Sequence, residues 1–135
     1  MRILQGFFIV MATSMVFSCN AQSSKADEGT NVKASDEVQV YYFHTSRRCA
    51  TCKAVERVSQ EAVQEMNKDE VSFAAYNIEE SKGEQIAEKL GVSGQALLVT
   101  NGDKKFNITQ EGFLNARTKP EKLKEIVQLK VKSLQ

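Results

Sequence analysis

Val38-Gln39-Val40-Tyr41-Tyr42-Phe43-His44-Thr45-Ser46-Arg47-Arg48-Cys49-Ala50-Thr51-Cys52 joins two signals: a short β-branched and aromatic run, then two cysteines three positions apart. Val38 to Phe43 is apolar on both faces except at Gln39, the pattern of a strand covered on two sides. It is expected to be the central strand of a sheet. Immediately after it, Val55, Val58, Ala62 and Met66 recur at three- and four-residue steps with Glu, Gln, Arg and Lys between them. That spacing predicts an amphipathic helix over about 50–67 with the cysteine pair at its start.

Working outward, Val71 to Tyr76 reads as a second strand, over 71–76. Ser81-Lys82-Gly83-Glu84 reads as a capping box opening a helix over about 82–90, which buries Ile86, Ala87 and Leu90 and ends at Gly91. Strands over 96–100 and 104–109 flank Asn101-Gly102, a hairpin signal because both residue types tolerate positive φ. Thr118 and Glu121 suggest a second capping box around Pro120, opening a helix over about 119–133 with Leu123, Ile126, Val127, Val131 and Leu134 on its apolar face. Helices between consecutive strands imply crossovers, and the Asn-Gly turn implies a terminal antiparallel pair. The expectation is an α/β domain over 38–135 with a four-stranded mixed sheet and helices packed on it.

The remainder of the chain is unlike this domain. Residues 1–18 begin with Arg2 and carry an apolar run of about twelve residues from Gly6 to Phe17, too short for the ~20 of a spanning helix and suited to an export signal. Val16-Phe17-Ser18-Cys19 resembles a bacterial lipobox, which implies that Cys19 is lipidated and becomes the mature N-terminus. Several acyl chains there would anchor the protein, since each buried CH₂ contributes about 0.8 kcal/mol. Residues 19–37 are polar, with Val32 the only sizeable apolar side chain between Asn20 and Glu37, and read as a flexible tether. With 18 basic and 17 acidic side chains the net charge is +1, so there is no global field to recruit nucleic acid. Function is expected from a local site.

That site is Cys49-Ala50-Thr51-Cys52. Cysteines at i and i+3 lie within one helical turn, close enough for a small disulfide ring. Stepping back three residues from Val55 reaches Cys52, which places this sulfur against the core, whereas Cys49 at the helix start faces solvent. Cys49 is therefore the expected nucleophile and Cys52 the resolving thiol. Unpaired helical N–H groups, with Arg47 and Arg48 alongside, favour a thiolate at Cys49 and lower its pKa from about 8.5 toward neutrality. His44 could also stabilise the thiolate, or join both thiols around a soft metal. Its plainer reading is a polar residue where the strand emerges.

From Tyr42 to Lys53 the chain resembles the thioredoxin-like superfamily, in particular small exported bacterial thioredoxin-domain lipoproteins, and the resemblance extends over Val38 to about Leu134. It implies a thiol-disulfide oxidoreductase cycling Cys49 and Cys52 through a mixed disulfide, with a protein disulfide as substrate and a membrane thiol-electron donor as second partner. It also implies that Gln95 and Ala96 form a substrate-facing loop. Two features depart from the family. Ala96 stands where a cis-proline is usual, and a trans Gln95–Ala96 peptide is expected because a cis bond before a non-proline residue costs about 2.5–4 kcal/mol. No acid lies in the central strand beneath the cysteines, where the family buries one.

Three functions compete on sequence alone. The leading expectation is an exported oxidoreductase, lipid-anchored to a bacterial membrane facing the periplasm or exterior, with no cofactor beyond its redox-active cysteine pair. The second is a soft-metal module, for copper as an example, using Cys49, Cys52 and His44. The third is a non-catalytic lipoprotein with a structural disulfide.

Overall fold

The computed structural model describes residues 37–66 and 68–135, in the order β1 (Val38–His44), α1 (Ala50–Gln64), β2 (Val71–Asn77), α2 (Ser81–Lys89), β3 (Ala96–Thr100), β4 (Lys105–Asn107), α3 (Thr109–Asn115) and α4 (Pro120–Lys132). The expected export segment, Cys19 and all of the tether but Glu37 lie outside the described residues. None of the described helices is long and apolar enough to cross a membrane.

The four strands form one mixed sheet in the order β2-β1-β3-β4. β1 runs parallel to β2, from Val38 opposite Val71 to His44 opposite Asn77, and antiparallel to β3, from Gln39 opposite Thr100 to Phe43 opposite Ala96. β3 and β4 are antiparallel. This is an α/β fold consistent with a thioredoxin-like arrangement.

Because successive strand side chains point to opposite faces, β1 supplies both halves of the core. Val38, Val40 and Tyr42 join Leu97 and Val99 beneath Val55, Val58 and Ala62 of α1 and Leu123, Val127 and Val131 of α4. Tyr41 and Phe43 join Ala96 and Leu98 beneath Ile86 and Ala87 of α2. On this second face the rings of Tyr41, Phe43 and Tyr76 lie with centroids 6.1 Å apart. At the sheet edge the Gln39 side chain accepts a hydrogen bond of 2.6 Å from the Ser72 hydroxyl, which accounts for the one polar residue in the run.

Several local expectations need correction. The strand expected over 104–109 is confined to Lys105–Asn107, and Thr109 instead opens α3, a helix that the sequence pattern did not indicate. Asn107 Oδ1 accepts from both the backbone N–H and the hydroxyl of Thr109, at 3.1 and 2.6 Å, a local turn that competes with strand continuation. Gly112 lets α3 sit close to the sheet, since a Cβ there would lie 3.2 Å from Leu97 Cδ2. α1 stops at Gln64, short of the expected 67, with Met66 N–H closing a tighter turn onto the Val63 carbonyl at 3.0 Å.

Neither capping box forms. Ser81 is already helical and Glu80 occupies the cap position without a side-chain bond. Order there comes from β2: Asn77 Oδ1 accepts from Glu79 N–H at 3.0 Å, and Asn77 Nδ2 donates to Glu80 Oε1 at 3.2 Å. Thr118 turns back to donate to the Leu114 carbonyl, leaving α4 to begin at Pro120 after Lys119. The two glycine punctuation marks are present, with φ of 67° at Gly91 and 95° at Gly102. The turn at Gly102 is wider than a two-residue loop, because Asn101 Oδ1 gathers the N–H groups of Asp103 and Lys104.

Candidate active site

The turn between β1 and α1 is held from both sides. Ile78 N–H donates to the His44 carbonyl at 2.9 Å, so the end of β1 is tied to the end of β2. Ser46 N–H donates to Glu79 Oε2 at 2.9 Å, and its hydroxyl accepts from Asn77 Nδ2 at the same distance. Within the turn the Thr45 hydroxyl donates to the Arg47 carbonyl at 3.1 Å. Cys49 then stands at the N-cap of α1 with extended backbone, and its sulfur accepts from the Cys52 N–H at 3.2 Å. A thiol thus occupies the place usually taken by a serine or aspartate oxygen.

The two sulfurs lie 2.7 Å apart as free thiols, Cys49 exposed and Cys52 only 4% exposed. A disulfide needs about 2.05 Å, so bond formation requires little movement. Hydrogen bonding from the Cys52 side chain, followed by that from the Cys52 backbone N–H, holds the Cys49 thiol below its usual pKa. Cys52 has a second acceptor in Gln95 Oε1 at 3.5 Å. The Gln95 amide is itself positioned by donating from Nε2 to the Thr45 hydroxyl at 3.4 Å.

Beneath the pair lies Tyr42. Its side chain is fully buried on the α1 face of β1, and its hydroxyl has no hydrogen-bond partner among the described residues. Burial pushes the phenol well above the usual tyrosine value; the nearby Cys52 sulfur adds to the rise, and the Arg48 charge opposes it. The phenol is therefore a neutral donor at physiological pH.

The structure brings together Cys49, Cys52 and Gln95 and separates the other candidates. Arg48 is drawn along α1 into an ion pair with Glu56, and Arg47 is exposed; neither is among the main groups acting on the Cys49 thiol. His44 packs its ring 5.9 Å from that of Tyr42 and places Nδ1 3.0 Å from the Thr45 carbonyl. Among the described residues no three His, Cys, Asp or Glu side chains form a metal-binding group. The Gln95–Ala96 peptide is trans. Ala96, at the start of β3, pairs with Phe43, and its side chain is buried under α2.

By its sequence context Tyr42 is a core residue and nothing more. The available signal was the two-residue alternation from Val40, which aims Tyr42 at the face where α1 carries Cys52. Beside the pair, an open cleft of about 480 Å³ runs from Ala50 to Pro120, and its charged lining residues, Lys53, Arg57 and Arg117, are all basic. The chain matches no known family model and no curated protein.

Proposed function

We propose that this chain is a thiol-disulfide oxidoreductase acting outside the cytoplasm, held to a bacterial membrane through a lipidated Cys19. The observation that carries the reading is the asymmetry of two thiols 2.7 Å apart, one exposed at a helix N-terminus and the other buried behind it. The exposed sulfur is available to a disulfide on another molecule, and hydrogen bonding that lowers its pKa raises the share of thiolate, the form that exchange requires.

In the reducing direction, Cys49 thiolate attacks one sulfur of a substrate disulfide. The bond between the substrate sulfurs breaks, and a mixed disulfide to Cys49 forms. The departing substrate thiolate takes up, through water, the proton released by Cys52. Cys52 thiolate then attacks Cys49 Sγ, forming the Cys49–Cys52 bond and releasing the second substrate thiolate, which takes a proton from water. The cysteine pair loses two electrons and the substrate gains them. A membrane thiol donor would return the pair to its dithiol form by the reverse exchange. Gln95, in contact with Cys52, lies where it would border the incoming substrate.

Alkylation with iodoacetamide across pH tests this reading in the full chain with Cys19→Ser. Cys49 is expected to label at neutral pH at least about tenfold faster than Cys52, as a lowered pKa and exposure require. Cys52→Ser should trap mixed disulfides that Cys49→Ser does not form. Equal, slow labelling of both thiols would sink the proposal.

A further inference from the structure

Tyr42 hides an O–H group that closes no hydrogen bond among the described residues, although a buried hydroxyl without a partner is costly and most find one. The ionisable group acting on it most strongly is Cys52, ahead of Arg48 and Cys49. On another side of the same sulfur stands Gln95 Oε1, which can only accept. Cys52 therefore has an acceptor suited to its thiol form and a donor suited to its thiolate form. In the free dithiol its single S–H proton has two acceptors, Cys49 Sγ and Gln95 Oε1. Once Cys49 is bonded to a substrate sulfur it loses its negative charge and most of its accepting strength. Gln95 is then the remaining acceptor for the S–H group, while the phenol still lacks one.

We propose that the Tyr42 hydroxyl is the hydrogen-bond donor that stabilises the Cys52 thiolate as this sulfur attacks the mixed disulfide. The inference rests on the oxidoreductase reading above and assigns its second step. Cys52 loses its proton through water to the departing substrate thiolate, and the Tyr42 O–H, no longer facing a proton on sulfur, donates to the negative charge. The phenol keeps its own proton throughout and acts as neither acid nor base. Tyr42 is buried on the face where α1 packs, its hydroxyl has no other partner among the described residues, and closing the bond asks for a small approach of ring and sulfur.

The charged and titratable surroundings are few. Cys49 faces Cys52 from the N-cap of α1, and Tyr42 faces it from β1. Arg48, paired with Glu56 of α1, acts on Tyr42, and the His44 ring lies against the Tyr42 ring. The loop before β3 contributes only the neutral Gln95.

The test uses the full chain with Cys19→Ser, rapidly mixed with the chromogenic disulfide dithiobis(nitrobenzoate). Cys49 attack releases one coloured thiolate at a rate proportional to reagent. Cys52 attack releases a second at a rate independent of it. In Tyr42→Phe, which removes only the unpartnered oxygen, the first phase should be unchanged. Losing a charge-assisted hydrogen bond should raise the pH midpoint of the second phase by about one unit, leaving about tenfold less thiolate at neutral pH. A more basic thiolate is also about threefold more nucleophilic, so the net slowing is about threefold at neutral pH, with the two profiles crossing at alkaline pH. Gln95→Leu, which removes the thiol's acceptor, should move the midpoint the other way.

Coincident second-phase profiles in Tyr42→Phe and the parent would overturn the inference and leave the oxidoreductase reading intact. An alkaline shift in both variants would also overturn it, by marking a general loosening of the site. Absence of a reagent-independent second phase in the parent would remove the oxidoreductase reading and this inference together.

Discussion

The sheet's two faces are unequally furnished. On one, α1 and α4 cover Val38, Val40 and Tyr42 with a layer of fully buried aliphatic side chains, and α3 adds to it through Gly112. On the other, α2 is the one helix among the described residues that covers Tyr41 and Phe43, with Ile86 and Ala87. The two cysteines divide along the same line. Cys52 is buried on α1, one of the helices of the thick face, whereas Cys49 stands at the end of a turn fastened to the α2 side by polar bonds with Asn77 and Glu79. Burial takes Cys52 out of solvent, whereas the hydrogen-bonded turn leaves Cys49 exposed to it.

Matched core truncations are the strongest way to break that contrast. Leu123→Ala on the thick face is expected to cost about 4 kcal/mol and Ile86→Ala on the thin face about 2 kcal/mol, because a site near solvent collapses more readily around a cavity. Urea denaturation measures both, and equal losses would erase the distinction. Gly83→Ala should come next. A Cβ there would lie 1.9 Å from the Asn77 carbonyl oxygen, so α2 must back away from the residue that also holds Ser46. Overpacking of about 2 kcal/mol should outweigh the ~1 kcal/mol by which alanine favours a helix. A variant more stable than the parent would contradict the close approach.

The smallest expected effect is an acid titration. Hydrogen bonds from Ser46 hold the Glu79 carboxyl below its usual pKa. Its folded value is depressed, so the clamp's contribution is complete above about pH 4.3 and is lost as pH falls through the lower folded value. The Ser46 amide resonance should follow that titration, and Glu79→Gln should abolish it with little change in denaturation midpoint. A Ser46 resonance that does not titrate would show that the thin side fastens the turn by other means.

The sequence carried the parts of this arrangement that depend on repeated local pattern. The two-sided apolar run at Val38–Phe43 marked the central strand, and the step from Val55 back to Cys52 marked the buried sulfur. What it did not carry depends on partners remote in the chain. Ser81 and Thr118 have the look of helix caps, yet the order before α2 comes from Asn77 at the end of β2, and Thr118 bonds backward into α3. α3 is only seven residues long and includes Gly112, too short and too poor in helix formers to announce itself. Arg48 beside a cysteine suggests charge tuning, but Glu56, eight residues on, takes its guanidinium. Nothing local distinguishes Tyr42 from an ordinary core tyrosine, because its neighbour Cys52 arrives only when α1 packs on β1.

β1 lies between two strands, and its partners come from well down the chain. Cys52 and the Gln95 amide that it meets are 43 residues apart, and Ser46 and Glu79 are 33 apart. Each such loop must close before its contacts can stabilise anything, which makes assembly of this region a late and cooperative event. Before β3 docks, the two cysteines are neighbours on a chain with no acceptor from Gln95 and no roof of aliphatic side chains. The contrast in exposure between Cys49 and Cys52 is therefore acquired on completing the sheet, and the labelling of Cys52 by a thiol reagent during refolding would time that step.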